Sequence, residues 1–321
     1  MRRFALIAAF AVLLTGCGQA AAPVPHHRAA KTAKTAKTPP PVRGFTLTHL
    51  TDLPAATDRL SAVAFQGSVY IFGGLRQSGS TTAIYRLQGT SLAAAGSLPL
   101  PLHDLAAAPL GSRILVMGGG QVASSPQIFA YVPKTARIAR YSQFPTPLSD
   151  LAAAVLGKDI YVFGGFTGSV FSSAIYRISP SGVQRVGSLP LGLRYTGAAA
   201  LDGSVYLFGG LGVQGYQSAI YRFTPGKDVQ EIGHLPVAAA LPIVAPADGG
   251  IVVLGGESGV NQDLSAVYFF TPQGGLRTIG SLPRPLGYGA LVPLGGSRLD
   301  VIGGEDGAVQ GTGIYALDLT H

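Results

Sequence analysis

Val69-Tyr70-Ile71-Phe72-Gly73-Gly74, followed nine residues later by Ala83-Ile84-Tyr85-Arg86, is the stretch from which the organisation of this chain can be read. The apolar run has no polar face, so it reads as a short strand buried on both sides. A glycine pair then ends an apolar run again at Gly118-Gly119, Gly164-Gly165, Gly209-Gly210, Gly255-Gly256 and Gly303-Gly304, at intervals of 45, 46, 45, 46 and 48 residues from the first pair onward. A tyrosine stands 11 or 12 residues beyond each pair, at Tyr85, Tyr131, Tyr176, Tyr221, Tyr268 and Tyr315. A proline preceded by Leu or Phe keeps the same period, at Pro54, Pro99, Pro145, Pro190, Pro236 and Pro283. Three independent marks on one period mean six copies of one structural unit.

The first unit breaks into four short β-runs, residues 61–65, 69–72, 83–87 and 92–98, separated by turn signals such as Gln66-Gly67-Ser68 and Gln88-Gly89-Thr90. Four-stranded units covered on both faces are propeller blades, so the chain reads as an all-β, six-bladed β-propeller. The 45 glycines follow no Gly-X-Y triplet, which removes collagen and suits a turn-rich fold.

A glycine pair closing the second strand with a tyrosine on the third resembles the Kelch repeat, over residues 44–321. Kelch blades usually carry a tryptophan beyond that tyrosine; this chain has none, and the aliphatics Leu92, Ile138, Val183, Val229 and Leu276 stand near its place. The resemblance implies a propeller whose function resides in its loops. Closure is legible at the ends. Tyr315 is followed by only six residues, so the sixth unit lacks a fourth strand, and residues 45–50 precede Pro54 as fourth strands precede their prolines elsewhere. We expect residues 45–50 to pair beside residues 313–319 and leave no open edge.

The propeller has a leader ahead of it. Arg2 and Arg3 form a basic start and residues 4–14 an apolar run too short to span a bilayer, which reads as a signal peptide over residues 1–16. Leu14-Thr15-Gly16-Cys17 resembles the lipobox of bacterial lipoproteins, in which the cysteine carries the lipid. That resemblance implies an extracytoplasmic protein of a bacterial cell envelope, attached to its membrane through Cys17. Cys17 is the one cysteine, so no intrachain disulfide exists and stability rests on packing. Residues 17–43, with Lys31-Thr32-Ala33, Lys34-Thr35-Ala36 and Pro39-Pro40-Pro41, read as the lipidated cysteine and a tether.

The net charge of +8 suggests nucleic acid, but residues 1–43 hold seven of the 23 Lys and Arg and no acid. From residue 44 onward charge is nearly balanced, so the globular part lacks the footprint of a phosphate binder.

The repeat also serves as its own alignment. The fourth and fifth residues after each proline read Asp58-Arg59, His103-Asp104, Ser149-Asp150, Arg194-Tyr195, Ala240-Leu241 and Gly287-Tyr288. Each pair should enter an innermost strand at the mouth of the central channel. Asp58, Arg59, His103, Asp104, Asp150, Arg194, Tyr195 and Tyr288 would then ring a concavity suited to a small polar ligand. Equally, the aspartates could cap turns and pair with Arg59 or Arg194 to hold the blades together. Arg76, Tyr216, Glu257 and Glu305 stand on the longer loops of the same face.

Chemistry has little support in the sequence. His103 alone is placed for acid–base work, and no serine or cysteine nucleophile motif accompanies it. Paired His or Cys spacings for zinc are missing, a cation site from the three aspartates lacks assured convergence, and no cofactor is implied. Galactose-oxidase-like propellers need a cysteine within the domain; sialic-acid mutarotases of Kelch type offer a fold-level analogy only. The expectation is a lipid-anchored binding or scaffold protein presenting its loop face to a protein or glycan partner, with a carbohydrate-active enzyme as the alternative.

Overall fold

The computed structural model describes residues 41–321. The leader, Cys17 and the tether up to residue 40 lie outside the described residues. Blade 1 runs Ser61–Phe65, Ser68–Phe72, Ala83–Gln88 and Ser91–Ser97 as an antiparallel meander. Blades 2 to 5 repeat it, with inner strands His103–Leu110, Ala152–Leu156, Gly197–Leu201 and Ile243–Ala247. Blade 6 combines Ala290–Gly295, Arg298–Ile302 and Gly313–Thr320 with the first strand of the fold, Gly44–Asp52. Inner strands contact one another in cyclic order, blade 6 touching blade 1, so the ring is closed.

The closing strand pairs as its sequence demands: Phe45 opposes Leu319, Leu47 opposes Leu317 and His49 opposes Tyr315, antiparallel. Packing begins slightly ahead of the boundary read at residue 44, because Val42 is buried in the core between blades 5 and 6 and the Arg43 N–H donates to the Thr320 carbonyl at 2.6 Å. Chain entry therefore lies at the face opposite the glycine pairs. There the Leu319 N–H also meets the Ser297 carbonyl of a first-to-second-strand turn, at 2.9 Å.

The glycine pair that marks the period has a physical task at each blade seam. Gly73 and Gly74 sit at φ +57° and +111°, in backbone space that side chains rarely occupy. A Cβ on Gly73 would collide with the Leu102 carbonyl in the connection to blade 2, and the same carbonyl accepts a hydrogen bond from the Gly74 N–H at 2.8 Å. In blade 6, Gly303 stands equally close to the Thr57 carbonyl at the start of blade 1. The pairs therefore clamp each blade to the next, which explains why they keep the period so strictly.

Among the described residues, buried apolar side chains form one cluster at each of the six blade seams and a seventh at the channel mouth; Phe72, Leu98, Ile114 and Tyr131 fill the seam between blades 1 and 2. The aliphatics at the missing tryptophan position turn into these seams, Ile138 into the cluster of blades 1 and 2 and Leu276 into that of blades 4 and 5. Aliphatic packing thus replaces the indole ring, and the core is distributed around the ring.

Candidate functional site

The site is built on the backbone before any side chain enters it. The fifth residue after each proline, namely Arg59, Asp104, Asp150, Tyr195, Leu241 and Tyr288, adopts a left-handed conformation with φ between 51° and 58°. None is glycine, so each costs about 1–2 kcal/mol against ordinary backbone. The offset is a run of five hydrogen bonds around the channel axis, open between Leu241 and Tyr288. The Asp104 N–H donates to the Arg59 carbonyl (3.0 Å), Asp150 to Asp104 (2.9 Å), Tyr195 to Asp150 (3.0 Å), Leu241 to Tyr195 (2.6 Å) and Arg59 to Tyr288 (2.8 Å).

One residue earlier, Asp58, Ser149, Arg194, Ala240 and Gly287 each form a short bridge with the residue following a glycine pair, respectively Leu75, Phe166, Leu211, Glu257 and Glu305. These positions precede the inner strands in five blades; only in blade 2 does His103 lie within the strand itself. The bridges bring Glu257 and Glu305 into the ring as buried groups, so they do not form a separate solvated patch.

Arg59 occupies the centre. Its Nε lies 3.5 Å from Asp58 Oδ1, its terminal nitrogens 3.9 Å from Asp104 Oδ2 and 3.9 Å from Glu305 Oε1, and it donates to the Tyr195 hydroxyl at 3.4 Å. The guanidinium lies 3.8 Å from the Tyr288 ring centroid. Burial works against its charge, but Asp104, Tyr195, Tyr288 and Asp58 outweigh burial and raise its pKa.

Arg194 forms a second node. Its terminal nitrogen lies 2.8 Å from Asp150 Oδ2 and donates to the Tyr195 hydroxyl at 2.6 Å. Phe166 and Phe171 flank the same guanidinium at 5.0 and 5.7 Å. Tyr195 in turn donates to Asp104 Oδ2 at 3.2 Å, and Tyr288 to Glu257 Oε2 at 2.9 Å. Burial, then the carboxylates Asp104 and Asp150, raises the Tyr195 pKa, so it serves as a donor.

Burial and neighbouring carboxyl groups shift the acids of the mouth upward. Burial and the neighbouring Asp104 push the Asp150 carboxyl up to about 7, and burial likewise raises Asp104. Burial, then a hydrogen bond with Asp58, pushes Glu305 up to about 7. For Asp150 and Glu305 the raised value favours the protonated acid beside a second carboxyl group. His103 shares its Nδ1 with the Ser80 hydroxyl at 2.8 Å and sets Nε2 3.6 Å from Asp104 Oδ2; burial and then Arg59 lower its pKa, which favours the neutral ring.

Outside the ring, a cleft of ≈ 760 Å³ opens between the hairpins of blades 1 and 6, lined by Asp58, Arg59, Arg76, Glu305 and Gln310. Arg76 turns toward Thr57 Oγ1 (3.3 Å) and the Tyr85 hydroxyl (3.1 Å). Tyr216 packs with Leu211 and Leu241 on the buried rings of Tyr195 and Tyr288. All the ring residues named from the sequence therefore meet, and Arg76 and Tyr216 border them. Gln310 was missed: it donates to Asp58 Oδ2 at 3.0 Å and to the Leu75 carbonyl at 3.1 Å. Its hairpin spacing carried no mark. Among the described residues, no three of His, Cys, Asp and Glu are grouped to hold a metal ion.

Residues 147–182, which span the first three strands of blade 3, match the family model described as the Kelch motif. The chain is a six-bladed β-propeller that carries a Kelch-motif match in its third blade. Among solved structures it is similar to one titled "Structure of YjhT", with 16% identity and a TM-score of 0.73 over 84% of this chain and 98% of that one. At that identity the likeness concerns the fold. In all, 827 chains of solved structures match, so the architecture alone does not select a function. No curated protein sequence matches the chain.

Proposed function

We propose that this Kelch-type propeller is an extracytoplasmic binding protein, held to a bacterial envelope membrane through lipidated Cys17, that offers its hairpin face to a partner. The observation that carries the reading is the mutual ion pairing at the mouth, although Asp58 Oδ1, Asp150 Oδ2 and the Nε atoms of Arg59 and Arg194 are buried without a hydrogen-bond partner. Arg59 is held by Asp58, Asp104 and Glu305, and Arg194 by Asp150. Both arginines therefore tie five of the six blade connections together through these carboxylates, Tyr195 and Tyr288. Rigid scaffolds that carry side-chain-rich hairpins on one face are suited to recognition. The lipobox resemblance at residues 14–17 supports the anchor, and Arg43 and Gly44 enter the propeller beside Thr320, at the face opposite those hairpins.

A second reading, a carbohydrate-active enzyme, is favoured by one observation. Asp150, pushed up to about 7 beside Arg194 and Tyr195, has the acidity that suits general acid–base catalysis near neutral pH. A thermal-shift panel of sugars, divalent cations and envelope polymers, run with Asp104→Ala and Arg194→Ala beside the wild type, separates the two. The binding reading expects no turnover and no sugar-specific shift. Stabilisation by one sugar with conversion of that sugar, both lost in Arg194→Ala, establishes the enzyme instead. Fatty-acid labelling in cells, abolished by Cys17→Ala, checks the anchor; labelling that persists refutes it.

A further inference from the structure

Among the described residues, seven of the ten exposed large hydrophobic side chains lie on the hairpin face. Five are valines at or beside the tips of the second-to-third-strand hairpins of consecutive blades: Val122, Val170, Val213, Val260 and Val309, with 98%, 59%, 84%, 80% and 71% of their surface exposed. Leu100 and Val237 join them from the connections between blades. Hairpin tips ordinarily take Gly, Asn, Asp or Ser, which serve the turn itself. A β-branched apolar residue there contributes nothing to the turn and loses contact with water-compatible groups. Blade 1 alone carries a polar tip, Gln77-Ser78.

The same face is acidic. Its charged groups are Arg59, Arg76, Arg194 and Arg284, against Asp52, Asp58, Asp104 and Asp150 in the connections and Glu257, Asp263, Glu305 and Asp306 in the hairpins. The rest of residues 41–321 holds 13 Lys and Arg against 7 Asp and Glu. A nearly neutral domain is thus polarised, negative at the hairpins and positive elsewhere.

Resting on the binding reading above, we infer that the valine crown is a docking surface for a protein partner that presents a lysine or arginine set among aliphatic side chains. The aliphatic groups cover the valines, and the basic group faces the part-exposed carboxylates Asp263 and Asp306 of the hairpins. Charge complementarity selects this occupant over three others. An anionic bilayer meets repulsion from the acidic face. A second copy docking by its own hairpin face meets the same sign of charge. Glycans usually stack on open aromatic faces, whereas Tyr195 and Tyr288 are 9% and 7% exposed.

The test uses the full chain in detergent micelles and three fluorescent peptides of one Val/Leu-rich sequence, carrying lysine, glutamine or glutamate at the same two positions. Anisotropy should show the lysine peptide binding about tenfold or more tighter than the glutamate peptide, with affinity falling as salt rises. The five valines exchanged together for serine should weaken that binding about tenfold or more at an unchanged melting temperature, since these side chains support no core. Asp306→Lys, a single surface change, should weaken the lysine peptide alone. Valine-dependent binding that ignores peptide charge overturns the basic partner and leaves the hairpin-face reading standing. Lysine-peptide binding that survives the serine exchange overturns the crown. Valine-dependent binding to phosphatidylglycerol vesicles or glycans, or valine-dependent self-association in light scattering, overturns the protein partner.

Discussion

Replacing Arg59 by methionine keeps an unbranched stem over Tyr288 but removes the cation that faces Asp58, Asp104 and Glu305. Deleting one member of a buried ion pair costs about 3–5 kcal/mol, because the remaining charges lie out of water without compensation. The Arg59 side chain is 21% exposed, which lets solvent screen part of the loss, so about 2–4 kcal/mol is the reasonable range at pH 8. For a domain of this size that corresponds to a fall in melting temperature of about 5–12 °C. The cost should itself titrate. Glu305, pushed up to about 7, and the raised Asp104 can take up protons at pH 5 and cease to be uncompensated anions. The drop at pH 5 should then shrink to about 1–2 kcal/mol, the loss of the cation on Tyr288 and of the Tyr195 contact. Differential scanning calorimetry of wild type and Arg59→Met at the two pH values measures both numbers. An equal drop at pH 5 and pH 8, or none at pH 8, would refute the view that this guanidinium neutralises the mouth.

Two further predictions concern the same framework. Asp150 has a folded pKa of about 7 against an ordinary value of 3.8, so its protonated form stabilises the fold below about pH 4 and that contribution is lost as pH rises through about 7. Asp150→Asn mimics the protonated acid; its melting temperature should fall less than that of wild type between pH 5 and pH 8, and parallel curves would reject the raised value of Asp150. Gly303→Ala combines left-handed backbone with a clash at the Thr57 carbonyl and should cost about 2–4 kcal/mol, whereas Gly67→Ala, at φ +76° with open space around it, should cost about 1 kcal/mol. Denaturant unfolding decides this, and equal losses would remove the seam clamp as the reason for the glycine pairs.

The six-unit period, the strand order within a blade and the closing strand were legible in the sequence because each depends on local backbone chemistry. Gly73-Gly74 must be glycine where a neighbouring carbonyl approaches, residues 69–72 must be apolar where both sheet faces are covered, and Phe45 to Leu47 must supply the strand that Gly313–Thr320 lacks. The positions of the mouth residues followed from the same period, since equivalent residues of a closed ring converge on its axis. What those residues do to one another depends on tertiary structure. Gln310 reaches Asp58 across 252 residues of sequence, and Glu257 and Glu305 are buried only because bridges to Ala240 and Gly287 draw them inward. The valine crown was equally invisible, for exposure is a property of what stands beside a side chain in space. Sequence periodicity determined where each group lies around the ring; only the folded distances decided which charges are spent on each other and which apolar groups remain for a partner.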